Sequence, residues 1–527
     1  MIMRAGLWVF AGKLGAQVTR LVLVIILARL LSPEAFGVVA AVQVIVALSE
    51  VVVRFGVGAA LIQSERLTRR IEGTAMTLML LLAGMICLVI FAARGLLADW
   101  MNIPELVEVL PVTLLSFVIA AATNPATNLI AREMDYRFLA GIEVATYALG
   151  YGLVAAVLAW QGYSYWSMII GTLVQNLLRA ILIFRRRPVR PVLVIDRTEA
   201  AGLIRFGGGV FLTQMMSTLA RRGDNAIVSS MFGAAALGYY SRAYALMDMT
   251  NALLGSVFRE VLFSGFSKKR RESGTEGIGE AFLMAHAFAA LVILPISAAM
   301  YLLADEVVLI LLGRKWQEVV PLLEVLSLGM YFRLAYKVSG AFNMASGRVY
   351  GNAARNLAYV VEVVAFGYLG GSIAGVEGVA WGVLTALGCH FVTMTHYALG
   401  PCGLRWPALL RALAPFVLAA GAGTLAAMGA LSLLRGSLPE TATAVLASLA
   451  GLLPYLAVLF LLRRQPVLAR VLRRFVNLVT KLRGGRNGGG KKKGNLAPGG
   501  RNSKMERPFP SDPESPPSDT TSRKDEP

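Results

Sequence analysis

Basic and amide side chains recur at helical spacing inside apolar stretches of this chain. Lys13, Gln17 and Arg20 stand at i, i+4 and i+7, which places them on one face of one helix. Gln214, Thr218 and Arg221 repeat that spacing and are extended by Asp224 and Asn225. Gln43, Glu50 and Arg54 share a face of a second helix, as do Asp248, Asn251 and Arg259 of another, and Arg333 with Lys337 adds a further basic pair. An ionised side chain at the centre of a bilayer costs about 2.5–3.5 kcal/mol on insertion scales, so several facing lipid would be hard to tolerate. A water-filled interior lined by Arg20, Arg54, Arg221, Arg259, Arg333 and Lys337 is therefore expected. Such a cavity attracts anions, and planar guanidinium forks match the oxygens of a phosphate or diphosphate group better than those of a carboxylate metabolite. The acids Glu50, Asp224, Asp248 and Glu362 are the candidate sites for a coupling proton or sodium ion. The plainer reading pairs Glu50 with Arg54 and Asp224 with Arg221 and simply locks helices together. Arg29 and Arg242 are expected near helix ends, with their heads reaching the interface.

Covalent chemistry finds little support. No connection is long enough to fold a catalytic domain, and no His-Asp-Ser or paired-carboxylate arrangement stands clear of the apolar segments. Gly421-Ala-Gly423 lies inside an apolar helix, where helix packing explains it better than phosphate binding. Cys87, Cys389 and Cys402, and likewise His286, His390 and His396, are dispersed, so neither a disulfide framework nor a metal site is expected.

The elements that hold these residues are long and apolar. The chain has 527 residues, 56% of them hydrophobic, and a mean hydropathy of +0.64. About fourteen runs reach the roughly 20 residues needed to cross about 30 Å of hydrocarbon as helix: 6–31, 36–60, 74–94, 107–130, 139–160, 164–184, 206–231, 237–262, 281–304, 319–345, 354–371, 376–399, 409–434 and 443–462. Backbone polar groups in lipid must be satisfied internally, so these are expected to be helices. Residues 4–73 read again 201 positions later without a gap: Arg4 maps to Arg205, Gly6 to Gly207, Arg20 to Arg221, Gly37 to Gly238, and Arg69-Arg70 to Arg270-Arg271. Beyond this stretch Pro111, Met134 and Gly141 map to Pro321, Met344 and Gly351 with an offset of 210. A duplicated unit of this kind is a transporter signature. The expected fold is an all-α integral membrane protein of about 14 transmembrane helices. It comprises pseudo-symmetric six-helix bundles at 1–190 and 197–400 and two further helices at 405–462.

The net charge of +20 does not point to nucleic acid, because the basic residues concentrate in every second connection. Arg66, Arg69 and Arg70, Arg132 and Arg137, Arg185 to Arg187, and Lys268 to Arg271 fall in one set of loops. By the positive-inside rule that set, and with it both termini, is cytoplasmic. The N-terminus reads as a retained helix rather than a cleaved signal, since Lys13 and Arg20 interrupt its apolar stretch. Residues 463–483 place Val467, Leu468, Val471, Leu472, Phe475, Val479 and Leu482 at helical spacing among arginines and lysines, an amphipathic helix suited to anionic lipids. Residues 484–527 are rich in Gly, Pro, Ser, Lys and Asp, which predicts a disordered tail.

Two stretches carry a family resemblance. Gly6-Leu-Trp-Val-Phe-Ala-Gly-Lys-Leu-Gly, continuing to Ala28-Arg-Leu-Leu-Ser-Pro-Glu-Ala-Phe-Gly37, resembles the start of polysaccharide transporters of the multidrug/oligosaccharidyl-lipid/polysaccharide exporter superfamily. The stretch Arg222-Gly-Asp-Asn-Ala-Ile-Val-Ser-Ser-Met-Phe-Gly-Ala-Ala-Ala-Leu-Gly-Tyr-Tyr240 resembles their seventh and eighth helices. The resemblance implies two bundles forming a V in the inner membrane, and a polyprenyl-diphosphate-linked oligosaccharide as substrate. It also implies delivery to the polysaccharide polymerase machinery that makes exopolysaccharide, capsule or O-antigen. Cavity arginines would then hold the diphosphate while the sugars cross in water, with coupling to H+, Na+ or membrane potential. Two alternatives stand beside it. A cation-coupled multidrug antiporter would share the fold, but the arginine excess argues against cationic cargo. A membrane polymerase or ligase would need a substantial periplasmic loop, which the chain lacks.

Overall fold

The computed structural model describes the backbone of residues 2–54, 61, 68–191, 197–471 and 473. Within these, the side chains of 2–14, 16, 197–210, 212, 213, 250–277 and 349 are not described. The described residues are all-α, and the basic segment after residue 473 and the tail at 484–527 lie outside them.

In chain order the helices are α1 (Ile2–Leu30), α2 (Pro33–Arg54), α3 (Arg69–Ala92), α4 (Arg94–Met101), α5 (Leu106–Arg132), α6 (Tyr136–Trp160), α7 (Ser164–Arg186) and α8 (Arg197–Leu302). They continue as α9 (Ala304–Leu311), α10 (Val319–Leu328), α11 (Met330–Ala345), α12 (Val349–Leu399), α13 (Trp406–Leu434) and α14 (Glu440–Leu461). Local sequence sets their boundaries. Pro33 opens α2, where a missing N–H costs nothing. Thr68 caps α3 by accepting the Ile71 N–H, and Asp135 caps α6 by accepting that of Phe138.

Among the described residues nine helices are long and apolar enough to cross a membrane, or ten if α10 and α11, bent by 40° at Gly329, count as one span. Sequence alone indicated about fourteen. Part of the difference lies in α1 and 197–277, where many side chains are undescribed, and part in α12, which runs two expected spans together across a break at Ala374 and Gly375. The long α8 likewise turns at Gly233, whose φ of +76° is open to glycine. The short helices α4 and α9 were not anticipated; they follow the ends of two expected spans about 210 positions apart.

Apolar side chains cover the outside as well as the interior, as lipid demands. Leu88, Trp160, Leu433 and Leu461 are each at least 70% exposed. The largest buried apolar cluster joins helices from both ends of the chain, from Leu27 and Phe36 through Tyr240 and Trp316 to Leu468 and Val471. Leu468 and Val471, two of the apolar positions of the expected amphipathic segment, bury against protein, with Arg470 paired to Glu280 at 2.7 Å.

At the end away from the basic loops, α2 crosses α8 with almost no separation. A Cβ on Gly37 would stand 1.7 Å from the Ala234 carbonyl oxygen, and one on Gly238 would stand 2.0 Å from that of Pro33. Beside this crossing the Arg314–Trp316 turn caps the end of α1. The Trp316 indole N–H donates to the Ala28 carbonyl at 2.9 Å, and the Lys315 ammonium donates to the carbonyls of Arg29 (3.0 Å) and Leu31. Arg29 answers by donating to the Ile310 carbonyl at 2.8 Å. Helix-end carbonyls without partners of their own are thereby satisfied across the interface.

Candidate functional site

Two chambers of about 570 and 470 Å³ lie between α1, α2, α5, α6, α7 and α8 and share Arg222 in their walls. The larger one is lined by Glu50 and Arg54 of α2, Asn124 and Asn128 of α5, Asn176 and Arg179 of α7, and Gln214, Thr218, Arg221 and Arg222 of α8. The smaller lies toward the sealed end and is lined by Gln17 and Arg20 of α1, Gln43 of α2, Tyr147 and Tyr151 of α6, and Asn225, Arg242 and Asp248 of α8. Both volumes fall within the range of small-molecule sites.

Among the described residues six arginines line the chambers, three of them held by carboxylates. Arg54 pairs with Glu50 one helical turn away at 2.8 Å. Glu143 of α6 bridges Arg20 at 3.1 Å and Arg179 at 3.4 Å. Among the described residues Arg221 donates only to the hydroxyls of Ser217 and Thr218. No carboxylate among the described residues pairs with Arg221, Arg222 or Arg242. Around these cations sit neutral donors and acceptors. Asn128 donates to Asn124 and Asn176 donates to Ser116, each at 2.7 Å.

The structure brings Arg20, Arg54 and Arg221 to the chambers and sends other expected residues elsewhere. Arg333 is buried behind the wall, ion-paired with Asp248 at 3.0 Å and lying over the Tyr244 ring. Its planar head finds a fixed counter-charge there, which removes it from the solvated set. Lys337 is half-buried, has partners of its own and does not line either chamber. The side chains of Lys13, Asn251 and Arg259 lie outside the described residues.

Among the acids, Glu50 and Asp248 line the chambers but are already paired. Asp224 does not pair with Arg221: it is buried and accepts from the Tyr240 hydroxyl at 3.1 Å and the Asn225 N–H. Glu362 is half-buried with Oε2 lacking a hydrogen bond. Arg29 does sit at its helix end, whereas Arg242 turns inward over the Phe36 ring, 4.8 Å from its centre, and lines the smaller chamber.

Arg179 and Arg222 were missed by sequence reasoning. Neither has a basic counterpart 201 positions away, so attention to repeated residues passes over them. The signal available for Arg179 was its i+3 spacing from Asn176 on one helix face.

The fold is shared with a lipid II flippase and with multidrug resistance MATE family transporters of known structure. The chain superposes on the lipid II flippase MurJ in its inward closed conformation with a TM-score of 0.70 at 12% identity, covering 86% of this chain and 98% of that one. In sequence it is 24% identical over 374 residues to the lipopolysaccharide biosynthesis protein WzxC of Escherichia coli K12, covering 69% of this chain and 74% of that one. It is 25% identical over 321 residues to the succinoglycan biosynthesis transport protein ExoT of Rhizobium meliloti, covering 61% and 64%. A family model described as polysaccharide biosynthesis protein matches residues 26–321, more than half of the chain. The protein therefore belongs to the polysaccharide biosynthesis protein family, and its long apolar helices make it a multi-pass membrane protein.

Proposed function

We propose that the protein flips polyprenyl-diphosphate-linked oligosaccharide repeat units across the inner membrane by alternating access, supplying exopolysaccharide, capsule or O-antigen synthesis. The observation that carries this reading is the charge of the chambers: among the described residues, six arginines against the two lining acids, Glu50 and Asp248. Guanidinium groups without carboxylate partners, set among amides and hydroxyls, form a seat for a multivalent anion. Arg54, Arg179, Arg221 and Arg222 of the larger chamber hold the diphosphate in this reading, while the sugars occupy water-filled space and the polyprenyl tail stays in the bilayer. Relatives whose names place them in lipopolysaccharide biosynthesis and in succinoglycan transport support the same substrate class. Asp224 and Glu362 remain the candidates for a coupling proton or sodium ion, because neither carries an ion pair among the described residues. A cationic drug is a poor match to such a site, which leaves the antiporter reading second.

Deleting the gene is expected to accumulate the lipid-linked oligosaccharide on the cytoplasmic side and abolish the surface polysaccharide, with unchanged sensitivity to cationic drugs. The Arg221→Ala variant should reproduce the loss at normal membrane abundance. Intact polysaccharide with heightened drug sensitivity in the deletion would transfer the assignment to the antiporter, and full complementation by Arg221→Ala would remove the diphosphate seat.

A further inference from the structure

A feature of α6 goes beyond the anion seat. Its middle, Thr146–Leu153, is wound as a π-helix between α-helical flanks. Insertions of this kind are uncommon and concentrate at functional sites, because the wider turn re-aims side chains. Here it brings Tyr147 and Tyr151 into a stack, with ring centres 5.1 Å apart and planes 22° apart, in the wall of the smaller chamber. The glycines on either side of Tyr151 are pressed against neighbouring helices. A Cβ on Gly150 would lie 2.6 Å from the Gln175 Cα of α7, and one on Gly152 would lie 2.5 Å from the Leu23 side chain of α1. The tyrosines are thus presented to the chamber by a segment held closely on both sides of Tyr151.

We infer that Tyr147 and Tyr151 form a sugar-binding platform, a subsite for a pyranose ring of the lipid-linked oligosaccharide, separate from the diphosphate seat. The inference rests on the flippase reading and deepens it. A sugar ring offers an apolar face of C–H groups, which an aromatic ring covers, and a rim of hydroxyls, which need hydrogen bonds. The chamber supplies both. Gln17, Gln43 and Asn225 line it alongside the tyrosines, and each amide presents two donors and an acceptor to hydroxyl groups. The lipid tail would strand those amides without partners, and a cationic aromatic drug would face Arg20, Arg222 and Arg242. The Arg20 guanidinium now lies over Tyr147, 5.4 Å from the ring centre, while its side chain is 49% exposed. A planar group therefore already occupies the surface a sugar would take, and Arg20, paired with Glu143 at 3.1 Å, swings off the ring when the sugar enters.

The test uses the full chain in lipid nanodiscs and two probes: a polyprenyl diphosphate alone and the same lipid carrying one glucose. Wild-type protein should bind the glucosylated lipid more tightly than the bare one. Tyr147→Ala should weaken the glucosylated lipid by roughly tenfold, so that the two lipids are no longer distinguished, while Tyr147→Phe keeps the preference. Equal weakening of both lipids, or a Phe variant as impaired as the Ala variant, would overturn the platform. Wild-type protein that binds both lipids equally well would overturn it too and leave the diphosphate seat standing. Binding of neither lipid would remove the flippase reading and the platform with it.

Discussion

Trp316 offers the sharpest test of how the transporter closes. Its side chain is wholly buried, and it ties the turn before α10 to elements far away in sequence. The indole N–H donates to the Ala28 carbonyl at the end of α1, and the ring meets Phe36 of α2 edge-on at 5.2 Å and Tyr239 of α8 at 6.1 Å. One hydrogen bond contributes about 1 kcal/mol net. Two edge-on aromatic contacts contribute about 0.5–1.5 kcal/mol each. Trp316→Ala therefore removes about 2–4 kcal/mol from the state in which this end is shut, and a 3 kcal/mol change moves a two-state equilibrium by about 150-fold. Trp316→Phe keeps the ring contacts and loses only the hydrogen bond, so its shift should be about fivefold. Spin labels at the exposed Ser32→Cys and Gln317→Cys positions, in a background without Cys87, Cys389 and Cys402, read this end directly by pulsed electron resonance. Wild-type protein should give a short, narrow distance distribution, the Ala variant a long one and the Phe variant a mixture. Because entry from the basic-loop side requires this end to be shut, the rate of substrate capture from that side should fall in the same order, in proportion to the population of the shut state. An Ala variant with the wild-type distance distribution would refute the assignment of Trp316 as the latch.

Two further outcomes concern packing and buried charge. Gly37→Ala and Gly238→Ala each force a methyl into a space where its carbon would lie 1.7 or 2.0 Å from a backbone carbonyl oxygen. The helices must then part by more than 1 Å at a cost of about 1–3 kcal/mol, so both variants should lengthen the Ser32–Gln317 distance, and wild-type closure in both would contradict the crossing. Asp248→Asn leaves the buried Arg333 without its carboxylate and should destabilise the protein by about 3 kcal/mol, at the low end for such pairs because Asp248 is itself 37% exposed. Thermal unfolding in detergent should show the loss, and adding Arg333→Met should recover most of it; a double variant as unstable as the single would show that the pair is not the cause.

Much of this architecture is legible in the sequence because lipid imposes simple rules. Apolar length predicts the spans, and the helices α3, α5, α6, α7, α13 and α14 fall where those lengths put them. What escapes is geometry within and between helices. Nothing in Thr-Tyr-Ala-Leu-Gly-Tyr-Gly-Leu announces a π-helical turn, because the glycines that permit close packing there serve an ordinary α-helix equally well. The repeat drew attention to Arg20 and Arg221 but said nothing about Arg222, which reaches both chambers from the adjacent position on α8. Arg333 and Arg242 exchange their expected places for a related reason. Sequence marks a charge as buried, while only the fold shows that Asp248 waits for Arg333 and that the surroundings of Arg242 are aromatic.

The pattern of pairing explains how an anion would act on this protein. Arg54 and Arg179 stand on α2 and α7 with Glu50 and Glu143 as counter-charges, whereas Arg221, Arg222 and Arg242 all stand on α8 without one among the described residues. The excess positive charge of the chambers therefore sits on a single element, facing helices whose own cations are already balanced. A diphosphate held by the α8 cations carries the opposite charge and gains from any further guanidinium brought to it from α2 and α7. Filled, the chambers therefore favour approach of α8 to α2 and α7. A ligand shifts a conformational equilibrium only by its difference in affinity between the two states. The unpaired arginines of α8 supply that difference, because their contacts with an anion improve as the walls close, while the seal made by Trp316, Lys315 and the Gly37–Gly238 crossing opposes the motion from the other end. Binding at one end and release of the seal at the other are then two terms of one equilibrium.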